Sequence, residues 1–315
     1  MGPVIDDEVM PLFLINGFLE AGKTQFLQFT MDQEYFQTDG RTLLIVCEEG
    51  DTEYDPGLLK RTRTDMVCID SLEELTPERL TELELLYNPE RVLMEWNGMW
   101  NQDLLRLPKD WTVYQQITII DGSTFDLYVK NMKPLLGPMV KNSEMIICNR
   151  CDDVEDLEGY RRILLAMNNQ AEIVFEDEDG EITEISEADL PYDMTADVIE
   201  IAPKDYGIWY IDCMDKPDRY RGKVVEFTAM AYKTSHFPKN CFVPGRMAMT
   251  CCENDMSFLG FICKYDGAED IKSRQWVTVR VRIEYEPQRD YGGVGPVLYA
   301  EKVTEAQPIK GYVTF

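Results

Sequence analysis

The chain has 315 residues, 44% of them hydrophobic and 11% aromatic, which is enough to fill packed interiors and excludes a mostly disordered polymer. Its length exceeds one typical core and predicts two domains. Lys and Arg number 31 against 58 Asp and Glu, a formal charge of −27 that disfavours nucleic acid or an anionic membrane surface as a partner.

The acidic opening, with Asp6, Asp7 and Glu8, lacks the basic-then-apolar order of a secretory leader. No apolar run reaches the ~18 residues of a membrane span. A cytoplasmic protein is expected. Pro11 to Ile15 reads as a short buried strand ending at Gly17, and Thr24 to Asp32 as the helix after it. Further strands are expected at Thr42–Cys47, Arg91–Met94, Gln116–Ile120, Glu144–Cys148 and Ala171–Phe175. Helical spacing marks Ser71–Tyr87 and Asp156–Met167, with Ser71 and Glu74 in capping-box register. Strands alternating with helices predict a mainly parallel α/β sheet covered on both faces.

Beyond Phe175 the chain turns strongly acidic through Glu176-Asp177-Glu178-Asp179-Gly180, which reads as an exposed hairpin tip or linker. From about Met194 the pattern becomes β, with strands expected at Lys223–Ala229, Arg246–Cys252, Gly260–Cys263, Trp276–Ile283 and Val297–Ala300. Five strands in this span predict a small all-β barrel of the OB type. The organisation expected is therefore 1–178, an acidic linker 179–193, and 194–315.

One motif carries chemistry. Gly17-Phe18-Leu19-Glu20-Ala21-Gly22-Lys23-Thr24 fits GxxxxGK[ST] between a strand and a helix, so its amides and the helix start would cradle phosphates. Lys23 would reach the β/γ-phosphates, Thr24 would hold Mg²⁺, and Gln25 follows on the same helix. Glu95 closes a strand, where a carboxylate can hold Mg²⁺ or its water, and Gly98 follows to let a backbone N–H approach the γ-phosphate. Asn149-Arg150-Cys151-Asp152 after another strand is an N-[K/R]-x-D pattern. In it Asp152 could accept the guanine ring donors, Asn149 contact the base edge, and Arg150 pack along the purine.

These residues, with Glu48-Glu49-Gly50-Asp51 through Asp55 and with Asp121, resemble the CobW-type GTPases, relatives of the nickel-insertion GTPases of the UreG and HypB kind. The resemblance spans about residues 10–178. It implies a P-loop α/β fold, slow GTP hydrolysis with Mg²⁺, and a role in metal delivery to a metalloprotein client. It also implies that Glu49 and Asp55 lie in the first switch segment on the metal side, with Lys23, Thr24 and Glu95 central to catalysis. The chain departs from that family at three points. Glu20 stands where Gly is usual, Arg150 replaces Lys, and Cys68 alone occupies the stretch of a Cys-x-Cys-Cys metal motif.

The second half resembles the soluble C-terminal domain of YcgQ-type proteins, which accompany a predicted permease. Asp218 to Lys223, Arg246 to Cys252 with Asp255, Trp276 to Val279, and Gly311-Tyr312-Val313 carry that likeness. Nine cysteines, an odd number, read as reduced thiols rather than a disulfide framework. Cys251 and Cys252, joined by Cys241, Cys263, Cys213 or His236, could bind Zn²⁺, or could be structural thiols. Phe227, Tyr232 and Trp276 could stack nucleic-acid bases, but they also fit a core. The functional expectation is a GTPase switch that engages a metal or a permease-type partner. Its alternatives are a nucleotide-holding adaptor with negligible turnover and a zinc-holding protein.

Overall fold

Short apolar runs separated by helical segments build one sheet in the first half of the chain. The computed structural model describes residues 9–48, 50–183, 190–234, 237–249, 256–288, 291 and 293–313. Its first elements are β1 (Met10–Asn16), α1 (Lys23–Asp32), β2 (Thr42–Val46), α2 (Pro56–Arg61), β3 (Thr64–Cys68), α3 (Pro77–Tyr87) and β4 (Arg91–Glu95). They are followed by β5 (Trp111–Asp121), α4 (Phe125–Asn131), α5 (Lys133–Lys141), β6 (Met145–Asn149), α6 (Leu157–Met167), β7 (Glu172–Asp177) and β8 (Gly180–Glu181).

The sheet order is β3-β2-β4-β1-β5-β6-β7-β8, parallel throughout except for the last pair. On β2, Leu43 and Ile45 join a cluster with Leu12, Val92, Leu80 and Leu83, while Leu44 and Val46 join another with Leu27, Met31 and Leu93. Both faces are buried, which is why the strands read as continuous apolar runs rather than alternating ones. The register sets Glu95 beside Ile15 on one side and Val46 on the other, and Asp121 beside Asn149. The carboxyl ends of β1, β2, β4, β5 and β6 thus share one edge, with β1 flanked by β4 and β5. Ligands in open α/β sheets bind at such an edge.

The helix expected from Ser71 and one unanticipated strand need correction. The helix expected from Ser71 starts at Pro77: the Thr76 hydroxyl accepts the Arg79 amide at 3.2 Å and caps it. The Ser71 carbonyl instead accepts the Glu74 amide in a turn, so there is no capping box. Proline suits the first helical position because its missing N–H would be unpaired there. Strand β3 was not anticipated, since it is an edge strand with Met66 and Cys68 exposed and no apolar run. The acidic stretch is a hairpin, with Asp177 opposite Gly180 and the Asp177 carboxylate accepting the Asp179 and Gly180 amides at 2.9 and 3.1 Å.

The second half contains β9 (Ile199–Glu200), α7 (Tyr206–Asp215), α8 (Pro217–Tyr220), β10 (Val224–Tyr232), β11 (Cys241–Met249), β12 (Met256–Gly260), β13 (Ile262–Lys264), β14 (Trp276–Gln288) and β15 (Gly293–Glu305). Strands β10, β11, β13, β15 and β14 pair in a closed ring, because β10 bonds to both β11 and β14. The result is a five-stranded barrel, in which β13 and β15 run parallel and the other pairs antiparallel. Strict alternation on β14 turns Val277, Val279, Val281 and Ile283 inward. Phe227, fully interior, packs against Trp209 of α7 with ring centroids 4.7 Å apart. It is a core residue and no stacking platform for bases. The Asp212 carboxylate, 2% exposed, accepts the Tyr220 hydroxyl at 2.6 Å and pairs with Arg219 at 2.8 Å, which explains both residues of the Asp218–Lys223 run as anchors of α7 and α8.

Compactness divides the chain into residues 1–157 with 167–186, and residues 158–166 with 187–315. Most of α6 therefore belongs to the second unit, where Arg161 pairs with Asp215 at 3.0 Å and Glu158 with Lys216 at 2.7 Å. Trp209→Ala should destabilise the barrel unit by about 3–5 kcal/mol, because it empties the centre of that core. Urea unfolding followed by the remaining tryptophan signal and by circular dichroism checks this.

Candidate functional site

The turn from β1 into α1 has a backbone that few side chains tolerate. Gly17 lies at φ +143°, and a Cβ there would sit 2.4 Å from the Ile119 carbonyl oxygen. A Cβ on Gly98 would sit 2.4 Å from the Gly17 oxygen, so the loop after β4 rides directly on the phosphate loop. Glu20 adopts φ +61°, a left-handed conformation that glycine adopts more readily, at the position where the chain departs from the CobW pattern. Its carboxylate points away from the loop and accepts the Asp51 amide at 2.9 Å.

Lys23 opens α1 and is only 3% exposed. Its ammonium donates to the Gly17 and Phe18 carbonyls, both at 2.9 Å, and to the Glu48 carboxylate at 2.5 Å. Glu48 carries part of the family resemblance but has no role assigned from sequence; it lies one position past the anticipated second strand, and nothing local marks its partner. Thr24 donates to Glu95 Oε1 at 2.9 Å, and Tyr54 donates to Glu95 Oε2. Burial raises the Glu95 carboxyl above the ordinary carboxylate range, although the Tyr54 hydrogen bond and the Lys23 charge act the other way. Burial, helped by the Glu95 and Glu48 charges, also pushes the neighbouring Cys47 thiol up to about 12, so Cys47 stays protonated and does not supply a thiolate.

The segment Asn149 to Asp152 lies against the same loop. The Asn149 side-chain amide donates to the Ala21 carbonyl at 2.8 Å, and its oxygen is buried without a partner. Arg150 donates to the Glu20 carbonyl at 2.8 Å and pairs with Asp121, so its guanidinium is tied to the loop and to β5. One Asp152 oxygen accepts the Glu178 amide at 2.9 Å. Gly22, Gln25 and Asn149 also line a cavity of about 380 Å³ with Phe26 and Glu176.

Other anticipated residues fall elsewhere. Asp55 caps α2, accepting the Gly57 and Leu58 amides at 2.8 and 3.1 Å, and those bonds, Gly57 first, hold its carboxyl below the usual range. Both of its oxygens are engaged there, and it does not line the phosphate-loop cavity. Glu49, Cys251, Cys252 and His236 lie outside the described residues. Cys241 is buried with its thiol raised by desolvation, and Cys213 and Cys263 are wholly interior in the barrel core. No three His, Cys, Asp or Glu side chains converge as a metal cage among the described residues.

The donor set fits an anion and a hard cation. A buried ammonium, a glycine cradle that a Cβ would fill, and a hydroxyl facing a carboxylate are the parts a nucleotide triphosphate with Mg²⁺ needs. The cavity between Lys23, Thr24, Glu48 and Glu95 measures only about 20 Å³, room for about one water. Lys23 already donates to Gly17, Phe18 and Glu48, so any anion reaching its ammonium competes with Glu48.

Fold and site together define a P-loop nucleotide-binding domain. Residues 11–175 match the family described as CobW/HypB/UreG, nucleotide-binding domain, and the chain belongs to that family, whose members are P-loop GTPases related to metal chaperones. Residues 176–314 match the DUF1980 C-terminal domain. Among solved structures the chain is similar to a Zn(II)-bound YjiA GTPase from E. coli, at 18% identity and a TM-score of 0.37 over 52% of this chain. It spans 57% of that YjiA chain. It is also similar to hydrogenase maturation factor HypB from Archaeoglobus fulgidus, at 14% identity and a TM-score of 0.39, covering 55% of this chain and 83% of that one. HypB from Helicobacter pylori in complex with nickel is similar at 13% identity and a TM-score of 0.36, covering 57% of this chain and 93% of that one. No curated protein matches the chain.

Glu48→Gln should tighten binding of a nucleoside triphosphate about tenfold, equivalent to about 1.4 kcal/mol, because the ligand no longer displaces a carboxylate from Lys23. Calorimetric titration with GTP and Mg²⁺ measures the difference.

Proposed function

We propose that the protein is a Mg²⁺-dependent, slowly hydrolysing GTPase that acts as a switch in metal handling. The observation that carries this reading is the convergence of the Lys23 ammonium, the Thr24 hydroxyl and the Glu95 carboxylate at the start of α1. Lys23 would hold the β/γ-phosphate oxygens, and the amides of the loop through Gly22 would surround the rest of the phosphates. Thr24 and Glu95 would hold Mg²⁺, which when bound neutralises charge on the phosphates. Gly98, pressed onto Gly17, would aim its amide at the γ-phosphate side. Gln25, Asn149 and Asp152 would face the base, with Arg150 fixing the loop on which Asn149 sits. The chain's own contribution to hydrolysis is positioning and charge stabilisation rather than covalent chemistry.

Family membership supports GTP over other nucleotides and a metal-related role over a general one. A permease-type membrane protein as the partner of the barrel is part of the proposal and rests on the sequence resemblance alone. The barrel's strand order, with one parallel pair closing an otherwise antiparallel ring, supports an OB-like assignment. Zinc on Cys251, Cys252 and Cys241 is not part of the proposal, since two of the three lie outside the described residues and Cys241 is buried.

A second reading, an adaptor that holds nucleotide with negligible turnover, is favoured by the closed Lys23–Glu48 pair, in which the ammonium is already compensated by a carboxylate. Phosphate release followed over hours at saturating GTP separates the two.

Lys23→Ala should weaken GTP binding by about 100-fold or more, the loss expected from two charge-assisted hydrogen bonds, while circular dichroism stays native. Titration calorimetry with GTP and ATP tests both affinity and base choice; equal affinity of variant and parent for GTP would sink the assignment.

A further inference from the structure

Tyr54 is unaccounted for by any motif, yet it completes the carboxylate end of the site. Its ring packs against the cluster of Leu27, Met31, Leu44, Leu58 and Leu93. Its backbone is pinned on both sides by one side chain of α1: Gln28 Oε1 accepts the Asp55 amide at 2.8 Å, and Gln28 Nε2 donates to the Glu53 carbonyl at 3.4 Å. Asp55 in turn is fixed as the cap of α2. The Tyr54 hydroxyl is thus delivered from a braced frame, not from a free loop, and it donates to Glu95 Oε2. Glu95, 4% exposed, has Thr24 as its other hydrogen-bond donor, at 2.9 Å to Oε1 and 3.2 Å to Oε2.

We infer that Tyr54 is a positioning residue for Glu95: it fixes the rotation of the carboxylate so that Oε1 faces Thr24 and can be presented to the divalent cation. The inference rests on the nucleotide reading given above. A carboxylate that must accept a cation gains affinity when its other oxygen is already held, because the ligand pays less orientational entropy on binding. Tyr54 touches neither phosphate nor metal in this scheme and acts only through Glu95. Its reach across 41 residues of sequence links α2 and α1 to the metal end of the pocket.

The test compares parent and Tyr54→Phe, which keeps the ring and removes only the hydroxyl. Binding of GTP is first measured in EDTA, then Mn²⁺ is titrated into the GTP-loaded proteins and its free signal is read by electron paramagnetic resonance. The expected result is a Mn²⁺ affinity about tenfold or more weaker in Tyr54→Phe, the usual size of an outer-partner loss. GTP affinity in EDTA should stay within about twofold. Unchanged Mn²⁺ affinity with a normal EDTA arm would overturn the assignment of Tyr54 alone. An equal fall in both arms would also overturn it, since that is the signature of a packing defect. Absence of GTP binding by the parent protein would remove the nucleotide reading and this assignment together.

Discussion

A positive charge held 97% out of water must be compensated at every moment, and the Lys23 ammonium is such a charge. Two carbonyls of its own loop and one carboxylate do this in the structure. Much of the first unit is arranged to keep those acceptors in place: β1 delivers the Gly17 and Phe18 carbonyls, β2 leads to Glu48, and β4 sets Glu95 beside both strands. The parallel sheet brings residues 17, 48 and 95 within a hydrogen bond of α1, because its register aligns strand ends that are far apart in sequence.

The same arrangement makes the pocket a site of competition. Glu48 supplies the negative charge that a phosphate would otherwise supply, and with the two carbonyls it occupies all three N–H groups of the Lys23 ammonium. Binding energy is therefore spent in part on separating an existing pair, which lowers net affinity but favours ligands carrying several anionic oxygens. Around this centre the strained Glu20, the Asn149 amide and the Arg150–Asp121 pair join the phosphate loop to the segments before and after it. A change at any of them is felt as a change in loop geometry.

The buried strands and the phosphate loop were legible in the sequence for a physical reason. Strands covered on both faces must be apolar at every position, and a phosphate loop must have glycines where the chain approaches Ile119 and Asn149 most closely. The barrel was legible through the alternation of Val277, Val279, Val281 and Ile283. The roles that the sequence leaves unassigned depend on partners remote in the chain. Glu48 and Tyr54 matter because of what β1 and β4 place opposite them, and an acidic or aromatic residue after a strand carries no sign of that. Edge strand β3 escaped because one neighbour suffices for it, leaving half its side chains in water. Asp55 caps α2, and a carboxylate before Pro-Gly takes that role as readily as the role of a metal ligand, so the sequence does not separate the two.

The grouping of residues 158–166 with the barrel unit has a practical consequence for how this chain can be divided. The boundary suggested by composition, near residue 178, would leave Arg161 and Glu158 on one fragment and their ionic partners Asp215 and Lys216 on the other. Each fragment would then carry half of a charge network that the intact polypeptide closes. The two units are interleaved in sequence, so a single cut between them leaves neither a clean cassette.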